Sequence, residues 1–354
     1  MVRASGDEVV LLDGGDVFGR GGAVSNLDAM LKGEFLIRSM DLCGYDAMTL
    51  GEEEFRFGED FLAKGTAGAK LSVTSANLYR QKGGAAYAAR FFTRAAGEIR
   101  VGVVGAIGEE HAEAVAQATA IHGEAVEVRP AAKEIGSAIA EMGPVDLLIV
   151  LAHMSQDAAR ALAKKLSGVQ VLLAVHERLP PGEELERVGG AWLVTAGYDG
   201  KWVGHLRLSV EDGGKVSALG WQAAEMSESL ADDPDLVALY QEYLARVKSE
   251  AEKIVASIPQ QEPAGGAYVG AAACTACHEA QAAQWQETKH ATAFQTLIDK
   301  NHDYDPSCFP CHTTGFGYKG RRRGRARGDA GAGLVGGHDR NVHGLPHGGG
   351  EPAV

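Results

Sequence analysis

Apolar positions recur along the first 210 residues in two alternating patterns, short continuous runs and stretches of helical spacing. Val9–Leu12 is a short apolar run closed by Asp13-Gly14-Gly15-Asp16, which predicts a strand ending in a turn. Asn26–Cys43 carries Leu27, Met30, Leu31, Phe35, Ile37 and Leu42 at helical spacing. Asp46–Leu50 and Leu71–Ser75 read as further strands. Ile99–Ala106 and Val145–Ala152 are nearly unbroken apolar and β-branched, as strands covered on both faces are. Gln156–Lys165 reads as a helix and Val169–Val175 as another buried strand. Ala191–Thr195 and Trp202–Val210 read as a strand pair. Strands alternating with helices predict an α/β domain around a largely buried sheet.

Asp232–Ser257 follows as one long amphipathic helix, with Asp233 as cap and Pro234 in its first turn. Ile258–Gly266 (IPQQEPAGG) is a linker rich in proline and glycine. Beyond Tyr318 the character changes to a run of arginines, many glycines, and His338, His343 and His347.

With 354 residues, two domains are expected. The composition, 45% apolar and 23% charged, is that of a globular chain. A net charge of −13 repels phosphate backbones and excludes nucleic acid as a partner class. No window reaches the roughly 18 apolar residues of a membrane span. Met1–Asp7 shows no apolar core or cleavage site of a signal peptide.

Four of the five cysteines form two Cys-x-x-Cys-His units, Cys274–His278 and Cys308–His312. This spacing suits haem c: each pair of thiols forms two thioether bonds, and the next side chain reaches the iron. A zinc site or a thioredoxin-like pair could use the same cysteines, but neither requires a histidine directly after each second Cys. Cys274, Cys277, Cys308 and Cys311 are therefore the candidate attachment points, and His278 and His312 the proximal ligands.

Tyr268–Gly317 resembles the multihaem cytochrome c family related to the tetrahaem electron carriers of ammonia oxidisers. The resemblance covers both haem units and Trp285 followed by Lys289-His290-Ala291. It implies that His290 is a distal axial ligand, and His302 is a second, weaker candidate. Two histidine ligands on one iron favour electron transfer, whereas an open position would admit a small molecule. From Gly320 onward the family pattern is lost. Asn341–His347 can be encoded so that a one-nucleotide shift reads Thr-Cys-Thr-Asp-Cys-His, and the same shift lets Asp329–Gly333 read Thr-Pro-Glu-Leu-Ala. Residues 320–354 are thus expected to be a shifted-frame or disordered tail.

The first 210 residues resemble the metallophosphoesterase domain of the 5′-nucleotidase family. The resemblance rests on Leu12–Asp16, Gly44–Gly51, Ser75–Leu78, Leu151-Ala152-His153 and Val175-His176. It implies a four-layer α/β/β/α sandwich with a two-metal site, in which paired cations clamp phosphate and activate water. Asp16 matches the bridging aspartate, and His153 and His176 match two metal-binding histidines. The family's Asp-x-His motif has no counterpart here. Glu52, Glu53 and Glu54 stand where active members carry Asn-His-Glu, and Arg178 stands where the last histidine ligand is expected. Arginine cannot ligate a metal. Glu52 and Glu53 could hold a hard cation, or the triplet could be a solvated loop.

These readings predict residues 1–212 as the phosphoesterase-like domain and 213–257 as a connection. Residues 258–267 are a linker, 268–319 a mainly helical multihaem cytochrome segment, and 320–354 the tail. The expected function is that of an exported, periplasmic or extracytoplasmic electron carrier with two haem c groups and redox partner proteins. The phosphoesterase-like domain is expected to be inactive, with a divalent metal in a degenerate site left open. The alternatives are a working phosphohydrolase with a cytochrome appendage, or a scaffold that binds another redox protein. The export signal and the Asp-x-His motif are expected upstream of Met1. The coding DNA checks the tail: a Cys-x-x-Cys-His codon set is expected in the shifted frame, and its absence removes that reading.

Overall fold

The computed structural model describes residues 7–19, 23–211, 215–262, 275–313 and 315–318. Cys274 and the predicted tail lie outside the described residues. The chain forms two compact units, one of residues 1–21 and 33–239, the other of residues 22–32 and 240–354.

The first unit holds two stacked sheets. Three short strands, β1 (Leu12–Asp13), β2 (Ala47–Thr49) and β3 (Ser72–Thr74), pair in parallel in that order. The larger sheet uses β5 (Phe92–Ala96), β6 (Ile99–Ile107), β8 (Leu147–His153), β9 (Val171–Val175), β10 (Glu186–Val188) and β11 (Ala191–Val194). Its order is β10-β11-β9-β8-β6-β5, and the central strands β6, β8, β9 and β11 run parallel. Two strand pairs stand apart, β4 (Leu78–Arg80) with β7 (Val126–Val128), and β12 (Trp202–Glu211) with β13 (Lys215–Glu225).

Side-chain alternation turns these sheets into four layers. Val101, Val103, Leu147, Ile149 and Leu151 meet Ala47 and Leu12 in the layer between the sheets. Their neighbours Val104, Ala106, Leu148, Val150 and Ala152 face the other way. There they pack against α4 (Ala131–Met142) and α5 (Gln156–Ala163), through Ile135, Ala138, Ala159 and Leu162. On the far side of the small sheet, Met48 and Leu50 pack with Ile37 and Met40 of α1 (Asn26–Cys43), Leu62 of α2 (Glu59–Thr66) and Val115 of α3 (Ala112–Ala120). The expected α/β/β/α sandwich is the observed fold. All seven residues of β8 are buried, which explains its unbroken apolar sequence.

One predicted pairing is corrected. Ala191–Val194 pairs with β9 and β10, not with Trp202–Glu211, whose partner is Lys215–Glu225. Both segments have strand composition, and alternation alone does not choose partners. Strands β4, β5, β7 and β10 and helices α2 to α4 were not anticipated, most of them being short or only partly apolar.

In the second unit, α6 (Pro234–Ser257) contributes its residues from Tyr240 onward. Its start is capped as expected, with Asp233 Oδ1 accepting from the Asp235 and Leu236 amides. Among the described residues three short helices follow, α7 (Glu279–Gln286), α8 (Gln295–Asp299) and α9 (Phe309–His312). A small core of Val255, Ile258, Leu297 and Phe309, with Val24, Phe294, Cys308 and Phe316, holds this unit together. Among the described residues no helix is long and apolar enough to cross a membrane.

Leu151 is fully buried between the sheets. Leu151→Ala is expected to cost about 2–5 kcal/mol in urea unfolding. At Leu219, 63% exposed, the same change is expected to stay within about 0.5 kcal/mol.

Candidate functional site

Side chains converge where parallel strands of both sheets end. Asp16 follows β1, Glu52 follows β2, and His111 closes a 3₁₀ turn (Glu109–His111) after β6. His153 is the last residue of β8, and His176 comes directly after β9. The register sets Ile107 beside His153 and His153 beside Val175, so the three imidazole-bearing ends emerge together. One ligand atom each from Glu52, His111, His153 and His176 lies within 4.8 Å of all the others. His153 Nε2 is 3.1 Å from Glu52 Oε2 and 3.5 Å from Asp16 Oδ2. His176 Nδ1 is 3.6 Å from Glu52 Oε1 and 3.9 Å from Asp16 Oδ2. His111 Nδ1 is 3.5 Å from Glu52 Oε2.

The surroundings fix this arrangement. His153 Nδ1 hydrogen-bonds the Gly14 carbonyl at 2.8 Å; with Nδ1 as donor, Nε2 faces the other donors. Asp16 (φ +62°) and His176 (φ +127°) both sit in the left-handed region that non-glycine residues avoid. Glu54 is buried, and its carboxylate accepts from the amides of Asp16 (2.8 Å), Val17 (2.7 Å), Phe18 (3.4 Å) and Gly51 (2.7 Å). It thereby ties the loop after β1 to the loop after β2. Gly51 leaves the room: a Cβ there would lie 2.2 Å from Asp16 Oδ1 and 2.5 Å from His153 Cε1.

Burial opposes charge on His153, yet hydrogen bonds to Asp16 and Glu52 outweigh it and hold the imidazole up to about 10. Burial likewise opposes the Glu52 charge, but His153 and neighbouring groups bring it down to about 2. Burial lowers His111 more than Glu52 raises it, which favours its neutral, ligating form.

Asp16, Glu52, His153 and His176 are thus brought together as candidate donors. Glu53 gives its backbone N–H to Asp16 Oδ1 at 3.1 Å, and its carboxylate is not among the four converging groups. His111 was not anticipated: it lies alone in sequence, and only the β6–β8 register brings it in. One ligand atom from each of Glu52, His111, His153 and His176 is near enough to reach a common cation. Arg178, where a further histidine ligand is expected, is a fixed cation paired bidentately with Asp199 and set over the Tyr198 ring.

In the second unit, Asp305 caps the turn Pro306–Cys308, its Oδ1 accepting from the Ser307 amide. Cys308 packs on the small core, Cys311 is exposed, and neither is in a disulfide. His312 Nδ1 lies 2.5 Å from the Ala293 carbonyl, and Thr296 Oγ1 lies 3.4 Å from the same nitrogen. Donation from Nδ1 leaves the Nε2 lone pair for a metal. Cys277 and His278 are exposed at the start of α7. His290 is exposed in a 3₁₀ turn (Lys289–Thr292), whereas the half-buried His302 stacks on Tyr304.

The fold resembles that of calcineurin-like phosphoesterases of the 5′-nucleotidase kind over most of the chain, and a cytochrome-like segment follows it. Residues 273–333 match the family described as cytochrome c554 and c-prime. Cytochrome c-554 of Nitrosomonas europaea is 36% identical over 76 residues, covering 17% of this chain and 32% of that protein. A snake venom 5′-nucleotidase of Naja atra is 27% identical over 259 residues, covering 66% of this chain and 47% of that protein. The crystal structure of a 5′-nucleotidase precursor from Thermus thermophilus superposes with a TM-score of 0.58 at 25% identity, covering 70% of this chain and 51% of that one. A calcineurin-like phosphoesterase from Bacillus subtilis shares the fold at a TM-score of 0.55 and 19% identity, covering 69% of this chain and 86% of that one. The chain spans about half the length of the nucleotidase relatives it matches.

Glu54→Ala leaves buried amides without an acceptor and is expected to cost about 3 kcal/mol or more in chemical unfolding. Gly51→Ala is expected to cost about 1–3 kcal/mol through overpacking. Gly136→Ala in α4, where a Cβ meets nothing within 4 Å, is expected to stabilise by roughly 0.5–1 kcal/mol.

Proposed function

We propose that this chain is an exported electron-transfer protein with a multihaem c-type cytochrome segment and a phosphoesterase-like domain that does not perform two-metal hydrolysis. The observation that carries the reading is His312, the last residue of a Cys-x-x-Cys-His unit, with Nδ1 on the Ala293 carbonyl and Nε2 left to ligate. Haem c supplies the one-electron couple when bound. Cys308 and Cys311 attach one haem and His312 is its proximal ligand. Cys274, Cys277 and His278 do the same for the other. His290 is the distal ligand of choice, because its exposed ring is more available than His302, which stacks on Tyr304. Two histidines on one iron leave no open position there, which suits electron transfer to partner redox proteins rather than turnover of a small molecule. Haem c is attached outside the cytoplasmic membrane, so the reading places the chain there.

The second reading, a working phosphohydrolase, is favoured by the retained Asp16, His153 and His176. Arg178 weighs against it, since the resemblance expects a histidine ligand at that position and arginine, here paired with Asp199, cannot ligate a metal.

Intact mass and a pyridine haemochrome assay are expected to show two haems per chain, and Cys308→Ser/Cys311→Ser one. Two haems on that double variant would contradict the attachment sites. With added Mn²⁺ or Zn²⁺, no turnover is expected on nucleotides or a generic phosphodiester. Turnover abolished by Asp16→Ala would establish the second reading instead.

A further inference from the structure

We propose that the phosphoesterase-like domain holds one divalent first-row transition ion, ligated by Glu52, His111, His153 and His176. Neither the resemblance nor the sequence motifs assign His111 such a role. Four donors from four different strand ends lie within 4.8 Å of one another. The imidazoles crowd one another, with ring centroids 4.1 Å apart for His111 and His176 and 5.2 Å for His153 and His176.

A second observation is His111 itself. It is only 8% exposed, and its Nε2 is buried without a hydrogen-bond partner among the described residues. Its other ring nitrogen, Nδ1, lies 3.5 Å from Glu52 Oε2 inside the cluster. His153 adds the anchor that metal-binding histidines show, with the opposite ring nitrogen on a backbone carbonyl. Gly51, whose Cβ would strike both Asp16 and His153, keeps the centre open.

Donor chemistry selects the ion. Three imidazoles and one carboxylate suit zinc, iron, nickel or manganese better than magnesium or calcium, which prefer oxygen throughout. Asp16, at 3.5 Å and 3.9 Å from two of the histidines, is near enough to be a fifth donor. Arg178, which stands in the sequence where the resemblance expects a further histidine ligand, is paired with Asp199 and offers no donor to a second ion. The site is therefore mononuclear where the resemblance leads one to expect a pair, and His111 adds a fourth donor to Glu52, His153 and His176. Haem content plays no part in this reasoning, so the failure of either reading leaves the other standing.

Equilibrium dialysis of the full haem-loaded chain against Zn²⁺, with metal counted by mass spectrometry, is expected to give one zinc per chain. Mn²⁺ in its place is expected to show the spectrum of a lone ion by electron paramagnetic resonance, without the coupling of a pair. His111→Ala is expected to weaken zinc binding by at least the roughly 10–100-fold that loss of an outer partner costs. His176→Ala, at a more exposed position, is expected to do the same and covers the case in which the His111 variant fails to fold. Two ions per chain, a coupled manganese signal, or unchanged affinity in a folded His111→Ala protein would overturn the proposal. So would the absence of stoichiometric zinc binding.

Discussion

A single buried carboxylate holds the phosphoesterase-like site in shape. Glu54 accepts the amides of Asp16, Val17, Phe18 and Gly51, and so fastens the loop after the first strand to the loop after the second. Asp16 needs that restraint because its backbone is in the left-handed region. Gly51 needs it because Asp16 and His153 crowd the space in front of its α-carbon. A buried acid with four amide donors is costly to disturb, since each amide would otherwise be desolvated without an acceptor. Within the acidic triplet, Glu54 is the member whose carboxylate ties the two loops together. Glu52, two residues earlier, turns into the cluster, and Glu53 offers it a backbone N–H.

The rest follows from two sheets packed face to face. Parallel strands end on the same side, and their buried alternation fixes which residue stands at each end. The β6–β8–β9 register delivers His111, His153 and His176 to one place from three separate stretches of chain. A separate small core of Val255, Ile258, Leu297 and Phe309 holds the haem segment, where Cys308 and His312 have neighbours that fix them. The two chemistries therefore rest on different supports, one on strand ends and the other on a helical turn.

What could be read from the sequence divides along the same line. The Cys-x-x-Cys-His units are contiguous, so spacing alone exposes the proposed attachment points and proximal ligands. The four-layer fold was legible because β8 and its neighbours bury both faces and leave unbroken apolar runs. Asp16, Glu52, His153 and His176 stood beside recognisable motifs at strand ends. His111 did not, because a lone histidine after Gly108-Glu109-Glu110 carries no local signal of its partners. Strand pairing near Trp202 was misread for a related reason, since composition identifies a strand without choosing its neighbour. The compact units also part within α6, between Leu239 and Tyr240. An uninterrupted amphipathic helix gives no sign of such a division.

The central claim is that one chain carries two haem irons in its cytochrome segment and a single non-haem ion in the phosphoesterase-like domain. Anomalous diffraction at the iron and zinc edges, from crystals of the haem-loaded chain grown with Zn²⁺, tests it most directly. The expected map has one iron peak beside Cys277 and His278, another beside Cys308, Cys311 and His312, and one zinc peak within bonding distance of Glu52, His111, His153 and His176. A pair of zinc peaks with the second beside Arg178, or an iron-free cytochrome segment, would contradict it.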